Sequence, residues 1–256
     1  MTVSDRRREI SDLLLQKGKV KVGDLARRFQ VSTETIRKDL LELEAQGFIK
    51  KNKGSAEVLV ETSASAYSRK SEKFIETKKK IAREAARLIP SHSVIFIDAG
   101  STNYQLARQL IMRKDIIVVT NFTPIAELMN ANEIKVILIG GEIRQVSGAT
   151  TGMLAAYCID HVHADLAFLG TSGFLDSSGP CVENFPEADV KRRMLQNAAK
   201  SYVLADSSKA STKAIVKYAE WSEITGLLTD DQLDCRVMES LEKEVNVITV
   251  NTEEKE

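Results

Sequence analysis

The 256-residue chain has no apolar run that approaches the ~20 residues a membrane-spanning helix needs. Its first residues, Met1-Thr2-Val3-Ser4-Asp5-Arg6, put no apolar stretch behind their charges, so no secretion signal is expected. Cysteine is scarce. Cys158, Cys181 and Cys235 are odd in number and widely spaced, which argues against a disulfide frame and for reduced thiols in a cytoplasmic protein. Histidine is scarcer in useful patterns. His161 and His163 lie two apart with no cysteine or carboxylate cluster of metal-binding spacing, so no metal site is expected, and Asp160 and Asp165 read as surface groups or turn formers. No cofactor is expected either. Net charge is absent too, with 36 Lys+Arg against 36 Asp+Glu. What is present is an ordinary globular composition, 43% apolar and 28% charged, with length for about two domains. The zero balance hides an asymmetry: residues 1–55 hold 13 basic and 8 acidic side chains, and the remainder is acidic by the same excess. A basic head on an acidic body suits polyanion binding confined to one end.

Within that head the apolar spacing predicts three helices. The first is capped by Ser4, runs to about Gln16 with Ile10, Leu13 and Leu14 on one face, and is closed by Gly18. Lys19 to Val22 alternates and reads as a small strand or an extended lead-in. The second helix covers Val22 to Phe29, burying Leu25, Ala26 and Phe29. After a tight turn at Gln30-Val31-Ser32, a third helix carries Ile36, Leu40 and Leu43 on its inner stripe. Ser32 is its N-cap, and Glu34 favours the positive end of its dipole. Two short helices joined in this way form a helix-turn-helix, whose second helix enters the DNA major groove. Arg37 can span the two acceptors of guanine or clamp a phosphate. Thr33, Thr35 and Lys38, with Ser32, suit phosphate or base-edge contacts at the helix start. Asp39 has the wrong sign for DNA and is assigned to an internal ion pair, with an arginine of the second helix the suggested partner. Leu41 falls on the outer side, where wing packing is its only evident use. Gly47-Phe48-Ile49 ends the helix. Lys50-Lys51-Asn52-Lys53-Gly54 reads as a basic turn, and Ala56 to Val60 as a return strand. Such a hairpin is a wing, whose Lys50, Lys51 and Lys53 touch backbone or minor groove; the plainer reading is a solvated loop.

Residues 61–71 are small and polar and read as linker. An amphipathic helix from Phe74 to Ile89 follows, with Ile81, Ala82, Ala85, Leu88 and Ile89 inward and Pro90 as its stop. Beyond it, short apolar strands alternate with helices: strand 94–97, helix 104–112, strand 116–119, helix 124–129, strand 134–139, strand 166–169, helix 187–199, strand 202–204, strand 224–228, helix 233–241 and strand 245–250. The pattern predicts an α/β domain with a largely parallel sheet. Ligands sit at the carboxyl ends of such strands. There the sequence places Asp98-Ala99-Gly100-Ser101-Thr102, Thr120-Asn121, Gly140-Gly141-Glu142, Gly170-Thr171-Ser172-Gly173 and Asp206-Ser207-Ser208-Lys209. A glycine and two hydroxyls at a helix start offer the parts of a phosphate cradle, although small residues also simply turn loops.

The run from Val31 to Glu57, with V-S-x-x-T-I-R-x-D-L, a following L-E and glycine, and a basic wing, resembles the N-terminal signature of the DeoR family of bacterial regulators. Lys38 stands where that family often has a second arginine, and Ser55 where it often has a second glycine. D-A-G-S-T, T-N, G-G, F-L-G and D-S-S-K, in order, resemble its C-terminal domain, so the likeness covers nearly the whole chain. The acid after Gly170 and Gly173, Asp176, is displaced by one residue from the family's usual spacing. The resemblance implies a winged helix-turn-helix at 1–58, a linker at 59–73, and at 74–256 an α/β effector domain similar in fold to ribose-5-phosphate isomerase and CoA transferases. It implies that Gly100, Ser101 and Thr102 hold an effector phosphate, and that Asp98, Asn121, Gly140, Gly141 and Lys209 line the sugar. Glu187 and Lys191 match a recurrent family pair. The implied partners are double-stranded operator DNA, a phosphorylated sugar and a second copy or a tetramer, with no membrane. The implied function is repression of a sugar-uptake or catabolism operon; activation with the same architecture is the variant reading. Two rivals are an isomerase-like enzyme, with Asp98, Glu183 or Glu187 as base, and a nucleic-acid binder without effector. The head argues against the enzyme, which has no use for it.

Overall fold

A computed structural model describes residues 2–17, 19–45, 49–52, 54–58, 73–145, 147–176 and 178–252. The chain forms two compact units, an N-terminal head and a body that begins at Lys73. The expected linker lies almost wholly outside the described residues, as do Gly18, Gly47, Phe48 and Lys53. Among the described residues, no helix is long and apolar enough to cross a membrane.

The head contains α1 (Val3–Lys17), β1 (Lys19–Lys21), α2 (Val22–Phe29), α3 (Thr33–Ala45), β2 (Ile49–Asn52) and β3 (Ser55–Val58). Helical spacing brings Ile10, Leu14, Leu25, Ile36 and Leu40 into one core, each essentially sealed from solvent. Gln30 ends α2 in the left-handed region, at φ +53°, which turns the chain within three residues into α3. The three strands pair antiparallel in the order β1-β3-β2. The wing is tighter than the sequence suggested. Lys50, Lys51 and Asn52 belong to β2, because Ile49, nearly fully buried, starts the strand, and Gly54 at φ +86° makes the turn. Leu41 stays half exposed.

The body opens with α4 (Ile75–Arg87), whose Ile81, Ala82 and Ala85 are fully buried. Then follow β4 (Val94–Ile97), α5 (Ser101–Gln109), β5 (Ile117–Thr120), α6 (Thr123–Ala131), β6 (Lys135–Leu138), the hairpin β7 (Glu142–Ile143) and β8 (Thr150–Thr151), and α7 (Met153–Asp160). β9 (Ala164–Gly170), β10 (Cys181–Val182), α8 (Phe185–Gln196), β11 (Ala198–Leu204), β12 (Val216–Lys217), β13 (Gly226–Asp230), α9 (Cys235–Leu241) and β14 (Val247–Val250) complete it. Seven strands form one sheet in the order β14-β13-β11-β9-β4-β5-β6, with every pairing parallel. Central strands are buried on both faces and so read as unbroken apolar runs. Phe96, Ala167, Leu169, Val203 and Leu227 of this sheet, with Tyr218 and Trp221, anchor the main core.

Three departures from the sequence reading have physical causes. α5 starts at Ser101, not Tyr104, because Gly100 is its N-cap and the hydroxyl residues form its first turn; it stops at Gln109. Ala198 and Ala199, read as helix, join β11 and pair with β9, tertiary pairing overriding the helical preference of alanine. α7 was missed. Met153, Leu154, Ala155, Ala156, Tyr157 and Ile159 are apolar nearly all round, so no period marks it. Asp165 is exposed, as read, and also accepts the backbone N–H of Val94 at 2.8 Å, which ties β9 to β4.

Candidate functional site

Two constellations stand out, one in each unit. In the head, α3 is fixed from behind. Asp39 is buried and accepts Nε of Arg6 at 2.7 Å and Nε of Arg7 at 3.0 Å. The internal ion pair is therefore real, but its arginines come from α1, not α2, since α1 is the element that crosses behind the inner stripe of α3. The Ser32 hydroxyl accepts the backbone N–H of Thr35 at 3.1 Å, an N-cap contact. Thr33, Glu34, Arg37 and Lys38 are left exposed on the front. The Arg37 guanidinium donates to Glu34 at 3.2 Å, with both side chains more than half exposed. Such a pair is worth ~0–1 kcal/mol and yields readily to a phosphate or a base. Thr35 is half-buried beside Ser32. The backbone of Lys50 and Lys51 is in β2; their side chains, and all of Lys53, lie outside the described residues.

In the body, strand order selects the place. β4 leads to β5 and β6 on one side, and β9 leads to β11, β13 and β14 on the other. The switch point thus lies between β4 and β9, where parallel sheets bind ligands at the strand ends. Asp98 follows β4 there. Its carboxylate accepts the N–H of Gly170, at the end of β9, at 3.1 Å, and forms a buried ion pair with Lys191 of α8. Burial pushes the Asp98 carboxyl above the usual carboxylate range, and the Lys191 ammonium pulls it back. Tyr218 is fully buried, donates its hydroxyl to the Gly170 carbonyl at 3.0 Å, and places its ring 5.7 Å from the Lys191 nitrogen. Burial raises the Tyr218 phenol well above its ordinary value, so it stays a neutral donor. Asn103 donates to the carbonyls of Asp98 and Phe168 at 2.9 and 3.1 Å, and its own buried side-chain oxygen has no hydrogen-bond partner.

Beside this pair, Gly100 begins α5 at φ +156°, a region that favours glycine, and no side chain caps the helix. The N–H groups of Ser101, Thr102 and Asn103 therefore form a positive end of the kind that receives anions. Thr102 is buried and Ser101 half-buried. Asn121, buried after β5, accepts the Ala99 N–H at 3.1 Å and donates to the Thr150 carbonyl at 3.1 Å, joining the loop after β4 to the hairpin strand β8. Gly141 sits at φ +141°, where an added Cβ would lie 2.5 Å from the Thr151 carbonyl oxygen, so only glycine fits. Gly140 is exposed. Glu187, one turn from Lys191 on α8, pairs with Arg144 at 3.1 Å; Arg144 also donates to Asn184 at 2.9 Å, and Asn184 N-caps α8. Lys209 reaches this region through its backbone, its carbonyl accepting the Phe174 N–H at 2.9 Å.

So Asp98, Asn121 and Lys191 are bonded around the loop that starts α5, Glu187 stands one helical turn from Lys191 and pairs with Arg144, and Lys209 is tied to the loop after β9. Asn103, Arg144, Asn184 and Tyr218 were not singled out from sequence. Asn184 had a signal, an N-cap residue followed by Phe-Pro-Glu. Asn103 and Tyr218 had none, because their roles depend on β9. No group of His, Cys, Asp and Glu among the described residues could hold a metal ion.

Residues 6–62 match the DeoR-like helix-turn-helix domain, and residues 73–231 match the DeoR C terminal sensor domain. The chain belongs to the DeoR family of transcriptional regulators. Similar relatives of this DeoR-family chain include the "Glycerol-3-phosphate regulon repressor" of Escherichia coli K12, 32% identical, covering 94% of this chain and 96% of its own length. The "Putative aga operon transcriptional repressor" of Escherichia coli O157:H7 is 33% identical, covering 96% of this chain and 94% of its own. A solved ribose 5-phosphate isomerase A from Methanocaldococcus jannaschii is similar over 53% of this DeoR-family chain and 54% of that chain, with TM-score 0.39 and 20% identity, too partial a likeness to argue from.

Proposed function

We propose that this DeoR-family regulator represses a sugar-uptake or catabolism operon and that a phosphorylated sugar, bound in the body, sets its affinity for operator DNA. The observation that carries this reading is the uncapped start of α5 at the switch point of the sheet, next to the buried Asp98–Lys191 pair. Backbone N–H groups at 101–103 and the Ser101 and Thr102 hydroxyls take the phosphate; Asp98, Asn121, Asn103 and Lys191 meet hydroxyls of the sugar. Gly140, Gly141, Glu187 and Lys209 shape the surround. The similar Escherichia coli repressors support the repressor role. In the head, Arg37 reads a base edge or phosphate, with Ser32, Thr33, Thr35, Lys38 and wing lysines 50, 51 and 53 on the backbone. The reader is residues 1–58, the sensor 74–256, and paired heads meet two half-sites, so the protein works in the cytoplasm as a dimer or tetramer. Effector coupling of ~1–3 kcal/mol changes operator affinity about 5- to 150-fold.

The test is a thermal-shift screen against pentose, hexose and triol phosphates, followed by operator binding at fixed salt with each hit. A ligand that favours the folded state raises Tm. A panel that changes neither Tm nor operator affinity overturns the sensor reading. Turnover of any of these compounds at ordinary enzyme rates overturns the regulator-only reading. Ser101→Ala with Thr102→Ala is expected to keep operator binding and lose the effector response.

A further inference from the structure

The helix that opens the body carries charge of one sign on a body whose total runs the other way. α4 holds five cations, Lys78, Lys79, Lys80, Arg83 and Arg87, against two acids, Glu76 and Glu84, whereas the chain beyond residue 55 is acidic as a whole. Lys80, Arg83 and Arg87 follow helical spacing and so share one face. Their backbone positions span ~10 Å, at 1.5 Å per residue. That face borders a cavity of about 340 Å³, whose other wall is the exit of β14 at Thr249, Val250 and Asn251. Such a volume falls among small-ligand sites, which run ~300–1,000 Å³.

Bonds between distant segments hold the cavity in shape. Lys80 donates to the Thr252 carbonyl at 2.9 Å, and the Thr252 N–H donates to Asp231, after β13, at 3.2 Å. The other cations of α4 are matched outside the cavity: Lys79 pairs with Glu76 at 2.8 Å, and Lys78 donates to the Lys73 carbonyl at 2.6 Å. Inside it the match is incomplete. Arg87 pairs with Glu84 at 2.7 Å through an exposed guanidinium, a contact that yields readily to a stronger anion. Arg83 is exposed and, among the described residues, makes no hydrogen bond or ion pair. The described lining thus sets three cations against one acid. Screening limits each surface charge to ~8 Å at physiological salt, so this local excess decides what the cavity takes. An arginine fork suits phosphate, and three cations over ~10 Å suit several phosphates better than one. A small ligand fits this better than a duplex, because an extended polyanion would also lie against the acidic remainder of the body.

We propose that this cavity, between Lys80, Arg83 and Arg87 of α4 and the end of β14, is a second anion site that takes a small compound bearing two or more phosphates. It is separate from the effector site at the start of α5. β14 is the edge strand, three strands from β9, which puts ~14 Å of sheet between the cavity and the switch point. The inference goes beyond the proposed sugar-phosphate reading and does not depend on it.

The probe is inorganic tripolyphosphate, titrated calorimetrically into the full chain at fixed ionic strength. Saturable binding is expected, with orthophosphate at least tenfold weaker. Arg83→Gln with Arg87→Gln is expected to weaken tripolyphosphate at least tenfold and to leave the circular dichroism unchanged, since both side chains are exposed. Ser101→Ala with Thr102→Ala is expected to leave tripolyphosphate affinity within about twofold. No saturable binding, orthophosphate bound as tightly, or equal affinity in the arginine variant overturns the inference. Binding lost in the Ser101 and Thr102 variant assigns the anion to the start of α5 and overturns it too. If the arginine variant misfolds, Arg83→Gln alone gives the same comparison. Operator binding measured across salt is expected to keep its slope in the arginine variant. A slope smaller by ~1 or more makes these arginines phosphate contacts of the duplex and overturns the small-ligand assignment. No sugar phosphate enters these titrations, so a failed effector screen leaves this site standing, and the reverse outcome leaves the proposed function standing.

Discussion

Asp39 and Asp98 are acids of the same type with opposite neighbours. Asp39 meets two arginines at the back of the reading helix, and Asp98 meets one lysine and one backbone N–H in the sensor. Removing one partner of a buried pair leaves an uncompensated charge and costs ~3–5 kcal/mol. Lys191→Met is thus expected to lower Tm sharply, and Lys191→Met with Asp98→Leu to recover much of the loss; a double variant no better than the single would mean that the pair is not coupled. On the opposite side of α3, Arg37→Ala removes a side chain that makes one exposed contact. Stability should stay within about 0.5 kcal/mol. Operator affinity should fall by ~1–3 kcal/mol, read by fluorescence anisotropy, if Arg37 is bidentate to a base.

Elements tolerate change according to what holds their ends. α3 begins at a side-chain cap, so Ser32→Ala should cost ~1 kcal/mol, visible as a shifted urea midpoint with an unchanged slope. α5 begins with no side-chain cap, so the N–H groups of its first turn stay open to an anion. Between them in sensitivity stands the hairpin before α7. Gly141→Ala forces a Cβ against the Thr151 carbonyl at a backbone angle that alanine resists, and should lower Tm by several degrees. A Tm equal to that of the unmodified protein would show that the hairpin is free to shift. Element type was mostly legible from apolar spacing, as in α2 and β4, whose limits match the sequence reading. It failed where spacing carries no period, as in α7, or where pairing outweighs propensity, as at Ala198 and Ala199.

At the scale of the molecule, several surface carboxyls sit below the usual range. Asp115 is lowered by its hydrogen bonds from Arg113, Glu220 by those from Lys217, and Asp231 by that from Thr252. A carboxyl lowered in the fold contributes stability above its unfolded pKa, about 4, and that contribution is lost as pH falls through the folded value. Asp98 is raised, so its contribution runs the other way, present at low pH and lost as pH rises through its folded value. Three lowered groups against one raised group predict a urea midpoint that drops from pH 6 to pH 3. Asp231 is exposed and Asp115 and Glu220 are half-buried, so the drop should shrink in high salt. An increase in stability on acidification would mean that Asp98 dominates.

The sequence by itself determined the two-part organisation, the capped reading helix and the polar turns at strand ends, because caps, apolar periods and glycine turns are local chemistry written over a few residues. Only the tertiary structure decided that β9 lies beside β4, that Lys191 therefore reaches Asp98, that α1 supplies the arginines for Asp39, and that α7 keeps an apolar face in solvent. Those facts depend on which distant segments become neighbours, and strand order and helix crossing are settled by packing the whole apolar surface at once.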